Sequence, residues 1–305
     1  ALRPTPYRIV KNVNDPTPLG DLLRDHARQP FVPTDEHELD ARAAEILQIQ
    51  ATGLARRMQA AHSQAMVIGL SGGLDSTLAF LVAFDALQKL DLAPHQLHAI
   101  TMPGPGTSSG THSNAHALAT AVQAHLEEIP IDAAVEQHLA DLKHGGDFDV
   151  VFENAQARER TQILFNYANK VGGIVVGTGD LSELALGWCT FNADHMANYN
   201  VNASVPKTLI AYLVRWYAQH RAGTHPQLGD VLQRVLDTPI SPELIPPQND
   251  EISQLTESLV GPYELHDYFL YHFLRHGSRP NKIYQLACRS FESVYSASEI
   301  AHWLG

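Results

Sequence analysis

The string Ser71-Gly72-Gly73-Leu74-Asp75-Ser76 follows directly on an apolar run, Ala65 to Leu70. Paired glycines let a backbone come close to phosphate oxygens, and successive N–H groups at the start of a helix form an anion-binding nest. Ser71 and Ser76 can add hydroxyl donors. Asp75 would repel a phosphate unless a cation lay between them, which implies Mg²⁺. No Lys-Ser or Lys-Thr follows at Walker A spacing, and the string is not the GxGxxG of dinucleotide folds. The bland alternative is a tight turn whose Asp caps a helix. A second string, Gly177-Thr178-Gly179-Asp180-Leu181-Ser182-Glu183-Leu184-Ala185-Leu186-Gly187-Trp188, also leaves an apolar run. Glu183 could share the cation with Asp75, one carboxylate from each loop, and Trp188 offers a flat face to an aromatic ring. In isolation that trio would read as solvated acids beside a packing Trp.

These strings need elements to hold them together. Glu36 to Ala61 carries Ala43, Ile46, Leu47, Leu54 and Met58 at helical spacing, with Gln50 interrupting the stripe. Strands are expected at Ala65–Leu70, Leu97–Met102, Leu126–Ile131 and Gly173–Gly177, with helices at Leu78–Leu90, Asn114–His125 and Phe152–Lys170 between them. Alternation of this kind predicts an α/β fold, a doubly wound parallel sheet with flanking helices, followed beyond about Pro206 by a helical C-terminal region. Ligands of such sheets gather at the carboxyl ends of the strands, so the two loops should face one another. Residues 1–40 carry prolines at 4, 6, 16, 18, 30 and 33 and read as an extended arm, leaving 41–305 as one α/β domain.

Composition narrows the partners. With 33 acidic residues against 21 Lys and Arg, net charge −12, the surface repels phosphate backbones, which argues against nucleic acid. Two cysteines cannot build a disulfide framework, and neither a signal peptide nor a membrane-length apolar run is evident. A cytoplasmic protein with free thiols is expected. Among seventeen histidines there is no HExxH; His95 and His98 stand without an acidic or Cys partner, and the histidines read as surface or core residues, since zinc needs three or four convergent ligands.

SGGxDS resembles the pyrophosphate loop of the ATP pyrophosphatases, which cleave ATP between the α and β phosphates and adenylate an acceptor. GTGDLSELALGW is similar to the corresponding segment of glutamine-dependent NAD synthetases. So are Tyr199 to Thr208 (YNVNASVPKT), Met102 to Ser108 (MPGPGTS) and Phe152 to Arg158 (FENAQAR). The resemblance runs from about Pro30 to the C-terminus. It implies an adenine nucleotide α-hydrolase-like fold and ATP-dependent amidation of deamido-NAD to NAD by ammonia. It implies ATP contacts from Gly69, Ser71, Gly72, Gly73, Asp75, Ser76, Thr178, Lys207 and Ser241, with Asp75 and Glu183 as carboxylates for Mg²⁺. Asn154, Glu183, Trp188 and Lys282 would surround deamido-NAD, with Trp188 on the nicotinic acid ring and Met102 to Thr111 as a loop over the phosphates.

The two arginines of the helix divide the evidence. Arg160 heads an apolar stripe of Ile163, Leu164 and Tyr167, where a guanidinium lacks a partner unless it binds an anion. Arg158 points away from that stripe, yet it aligns with a substrate-contacting position of the ammonia-dependent enzymes. The family also carries a nitrilase-like glutaminase domain with a Cys nucleophile ahead of the synthetase. No cysteine precedes Cys189 here, so residues 1–40 are expected to be the end of a link to such a domain. The resemblance also implies a homodimer or a larger homo-oligomer. A GMP-forming or tRNA-modifying enzyme with the same loop, and a nucleotide-sensing module, are the competing readings.

Overall fold

The computed structural model describes residues 26–105, 107, 109–238 and 256–305. Ser241, the Pro-rich loop at 240–248 and most of the arm lie outside the described residues. In chain order the elements are α1 (Glu36–Ala60), β1 (Ala65–Gly69), α2 (Leu74–Lys89), β2 (Leu97–Thr101), α3 (Ser109–Ala121), β3 (His125–Glu128), α4 (Asp132–Asp141), α5 (Val150–Val171) and β4 (Gly173–Gly177). They continue with α6 (Leu181–Leu186), β5 (Tyr199–Asn200), α7 (Lys207–His220), α8 (Pro226–Leu236), α9 (Thr256–Val260), α10 (Tyr263–His276), α11 (Pro280–Ser290) and α12 (Ala297–Leu304).

The strands form one parallel sheet in the order β3-β2-β1-β4-β5. Order reverses between β1 and β4, which is where a doubly wound sheet opens a crevice at its carboxyl edge. Alternation along the strands feeds two cores. Met66, Ile68, Ala99, Ile174 and Val176 pack with α1, α2, α3, α7 and α8, whereas Val67, Ile100 and Val175 pack with α4 and α5. A third cluster joins α10, α11 and α12 around Tyr268, Phe291 and Ile300, the expected helical C-terminal region. Gln50, out of place in an apolar stripe, is buried because its amide donates to the carbonyl of Val201 and to Asn202 Oδ1.

Several boundaries differ from the sequence reading for identifiable reasons. Leu126–Ile131 was the expected third strand, but β3 ends at Glu128 because Pro130 has no N–H for the ladder. Ile129 and Ile131 still donate to the carbonyls of Thr101 and Pro103. The helix expected from Leu78 starts at Leu74, which puts Asp75 and Ser76 in its first turn. The one expected from Asn114 starts at Ser109. α4 was not anticipated, and its single buried residue, Val135, explains why no apolar stripe announced it.

Candidate active site

Both chemical strings leave the sheet at the crevice. After β1 the backbone turns through Gly72 at φ +84°, where a side chain would collide with the carbonyl of Thr111. That turn therefore requires glycine. Ser71 Oγ accepts from the Gly73 amide at 3.2 Å and lies 3.0 Å from Ser76 Oγ. Ser76 and Thr77 hydroxyls donate to the Gly73 carbonyl at 3.1 and 2.8 Å. Gly73 brings no side chain to cap α2, so the amide donors of its first turn are left for an anion.

Past β4, Asp180 caps α6 in a reciprocal box: its Oδ1 accepts from the Glu183 amide at 2.8 Å, and Glu183 Oε2 accepts from the Asp180 amide at 3.3 Å. Lys207, the first residue of α7, inserts its ammonium between the loops. Nζ lies 2.6 Å from Asp75 Oδ2, 2.8 Å from Asp180 Oδ2 and 2.7 Å from Glu183 Oε1, and 5.2 Å from the centre of the Tyr263 ring. One buried cation thus faces three carboxylates. Burial pushes Asp180 and Glu183 above the usual carboxylate range, and repulsion from Asp75 adds to it. Burial pulls Lys207 down, but the three carboxylates outweigh it and hold the ammonium well above its ordinary value.

Two side chains brace this cluster. Asn202, fully buried, donates through Nδ2 to the carbonyls of Asp75 and Thr178, both at 3.1 Å, tying the two loops together. Asp267 of α10 accepts from Ser182 Oγ, from the Thr208 amide at 2.9 Å and from Thr208 Oγ at 2.7 Å, while Ser182 Oγ accepts from the Lys207 amide at 2.9 Å. The sequence reading singled out neither of them, nor Asp180 as a member of the cluster. The D-x-x-E spacing of a capping box was the one local signal available for Asp180.

The residues suit a divalent cation. The carboxylates of Asp75, Asp180 and Glu183 offer oxygens within 4.8 Å of one another. Asp75 Oδ1 is buried without a hydrogen-bond partner among the described residues. An all-oxygen donor set with excess negative charge matches the preference of Mg²⁺.

A cavity of about 580 Å³ opens over this cluster. Its lining includes Gly69, Ser71, Gly73, Asp75, Ser76 and Thr178, together with Asn154, Arg160, Glu183 and Trp188. Gly72 and Lys207 are not part of that lining, although Lys207 pairs with Asp75 and Glu183, which are. Asn154 donates to the Val150 carbonyl at 2.8 Å and keeps Oδ1 buried with no partner among the described residues. Arg160 is not the partnerless guanidinium its stripe suggested, because Nε donates to the Met102 carbonyl at 3.1 Å. Arg158 lies outside the lining, exposed, with Nε on the Phe191 carbonyl at 3.1 Å. Lys282 is exposed on α11 and is not brought to the cavity. Cys189 also lines the wall, its thiol pushed up by burial and then by Asp194, the reverse of an activated nucleophile.

Residues 46–301 match the family model described as NAD synthase. The glutamine-dependent NAD(+) synthetase of Mycobacterium tuberculosis (strain H37Rv) is 43% identical over 323 aligned positions, spanning 98% of this chain and 47% of that protein. The chain therefore spans about half the length of the curated relatives it matches. Among solved structures, the fold is similar to an NMN synthetase from Francisella tularensis, with TM-score 0.64 and 24% identity over 86% of this chain and 92% of that one. It is also similar to a glutamine-dependent NAD(+) synthetase from Cytophaga hutchinsonii, with TM-score 0.69 and 18% identity over 86% of this chain and 47% of that one.

Proposed function

The chain belongs to the NAD synthase family, and from that premise we propose that it amidates deamido-NAD with ammonia at the expense of ATP, releasing AMP and pyrophosphate. The observation that carries this reading is the meeting of the Ser71 loop and the Asp180–Trp188 segment around the Lys207 ammonium, under one cavity.

The nicotinate carboxylate attacks the α-phosphorus of ATP, the bond to the β-phosphate oxygen breaks, and pyrophosphate is received by the uncapped amides of α2 with Ser71 and Ser76. Ammonia then attacks the acyl-adenylate carbonyl, AMP leaves, and the amide sheds a proton. Mg²⁺ held by Asp75 and Glu183 would neutralise phosphate charge. Lys207 bridges those two carboxylates and adds its own positive charge. Trp188 stacks on the pyridine ring, and Asn154 Oδ1 offers an acceptor to the dinucleotide. Of the two arginines, Arg160 is the better candidate for the substrate, because it borders the cavity and Arg158 does not. The work is positioning and charge neutralisation, with no covalent enzyme intermediate.

We further propose a homodimer, supported by the exposed Leu184 and Phe191 at the cavity wall, and a cytoplasmic setting, supported by two cysteines that are not paired. Incubation with ATP, deamido-NAD and ammonium salt tests the activity: NAD, AMP and pyrophosphate should form in equal amounts. ATP binding without pyrophosphate release would mark a sensor instead.

A further inference from the structure

Outside the cavity lining, a second set of donor atoms converges on one point. His112 and His116 stand four residues apart on α3, so their rings share a face, with centroids 4.5 Å apart at 48°. Glu128, the last residue of β3, turns one oxygen to both: Oε2 lies 2.8 Å from Nε2 of His112 and 2.8 Å from Nε2 of His116. The three donor atoms fall within 4.8 Å of one another.

We propose that His112, His116 and Glu128 form a binding site for a borderline divalent transition metal, zinc foremost, with water completing its coordination. Two imidazole nitrogens and a carboxylate oxygen are the three-ligand set that zinc accepts while leaving a position open. Imidazole donors discriminate against Mg²⁺, which takes oxygen ligands and keeps its own water. Zinc bonds of 2.0–2.1 Å at tetrahedral angles would hold the donor atoms about 3.3 Å apart. Opening the present 2.8 Å contacts by that half ångström is within reach, since the side chains of His112, His116 and Glu128 are 35%, 41% and 39% exposed. Two neutral imidazoles and one carboxylate leave the loaded site with a net charge of +1, easily borne at an acidic surface.

The position gives the ion a structural consequence. β2 and β3 pair in register, but α3 reaches the end of β3 through these side chains. Thr111, the residue before His112, sets its carbonyl against Gly72 of the phosphate-binding turn. A metal would therefore clip the first turns of α3 to the sheet beside that turn, without itself touching the reacting atoms.

The test uses the whole 305-residue chain, stripped with a chelator and titrated with Zn²⁺ in millimolar Mg²⁺ so that the carboxylate cluster is saturated. One equivalent should bind at micromolar or lower concentration, and amide exchange over residues 109–116 should slow. The double variant His112→Ala/His116→Ala should lose that equivalent. Glu128→Gln, the milder change, should weaken it by about tenfold or more, with the melting temperature of the zinc-free protein unchanged. Co²⁺ in place of zinc should give visible ligand-field bands with no thiolate charge-transfer band in the near ultraviolet. A thiolate band would put the ion on the Cys189, Asp194 and His195 group instead and overturn the proposal. Zinc stoichiometry unaltered in the double variant, or no binding by the wild-type chain, would overturn it as well. None of these readings depends on turnover, so the site stands or falls apart from the proposed amidation.

Discussion

Lys207 is the residue on which the site turns, because one ammonium buried to 3% exposure answers three carboxylates. Removing one carboxylate leaves the cation two partners, so Asp75→Asn should cost little stability. The variant forfeits the carboxylate whose second oxygen has no hydrogen bond among the described residues. Turnover should therefore fall by orders of magnitude while the melting temperature stays within a few degrees, read by a coupled pyrophosphate assay beside a thermal scan. Near-normal activity at low Mg²⁺ would refute that role. Trp188 makes a different kind of contribution: its backbone is held by the Glu183 carbonyl at 2.9 Å, leaving the indole to the cavity. Trp188→Ala gives up about 0.5–1.5 kcal/mol of stacking together with buried area. The KM for deamido-NAD should rise roughly tenfold and that for ATP little, and the reverse pattern would assign the indole to the wrong substrate.

At the scale of elements, the C-terminal helices form their own cluster and also reach the site. α10 supplies Tyr263 beside Lys207 and Asp267 beneath the starts of α6 and α7. Asp267 gathers three donors from two helices, and burial pushes its carboxyl above the usual range despite those bonds. Asp267→Asn cannot accept on both of its ends, so one donor is left unmet in a buried place, at a cost of about 1.5–3 kcal/mol. The expected outcome is a measurable drop in chemical-denaturation midpoint together with a lower kcat, since α6 carries Glu183 and α7 carries Lys207. A variant that loses stability and keeps full kcat would make α10 a lid and nothing more. The arm contributes at this scale too: Phe31 meets Tyr271 of α10 edge to face, centroids 5.1 Å apart.

At the scale of the whole molecule, the proposed amidation turns on the source of nitrogen. Cys189 is exposed on the cavity wall with a raised pKa, and Cys288 lies half-buried in α11. Neither is built as a glutaminase nucleophile. The 305-residue chain by itself should accordingly make NAD from ammonium salts and not from glutamine, with the rate climbing toward alkaline pH as the fraction of free NH₃ grows. Parallel assays with ammonium and with ammonia-free glutamine decide it; equal rates would reveal a second reaction centre.

Contiguous features were legible before any coordinates. SGGLDS announces an anion nest because its glycines, hydroxyls and helix start are neighbours in the chain, and β1, β2 and β4 announce themselves as short, largely apolar runs between helical stretches, whereas β3, HLEE, does not. The chain order of those elements already implies the parallel α/β class, since parallel strands need crossovers. Tertiary structure decided everything that depends on residues far apart in sequence. It set β1 beside β4, and so let Asn202 tie Asp75 to Thr178. It also gathered Asp75, Asp180 and Glu183 around the Lys207 ammonium. It put Arg160 on the cavity wall and Arg158 outside it, a placement that a helical wheel does not give. The His112–His116 pair carries helical spacing in the sequence, but its carboxylate comes from the next strand. Side-chain convergence of that kind follows from sheet order and helix packing, for which a local pattern of residue types carries no signal.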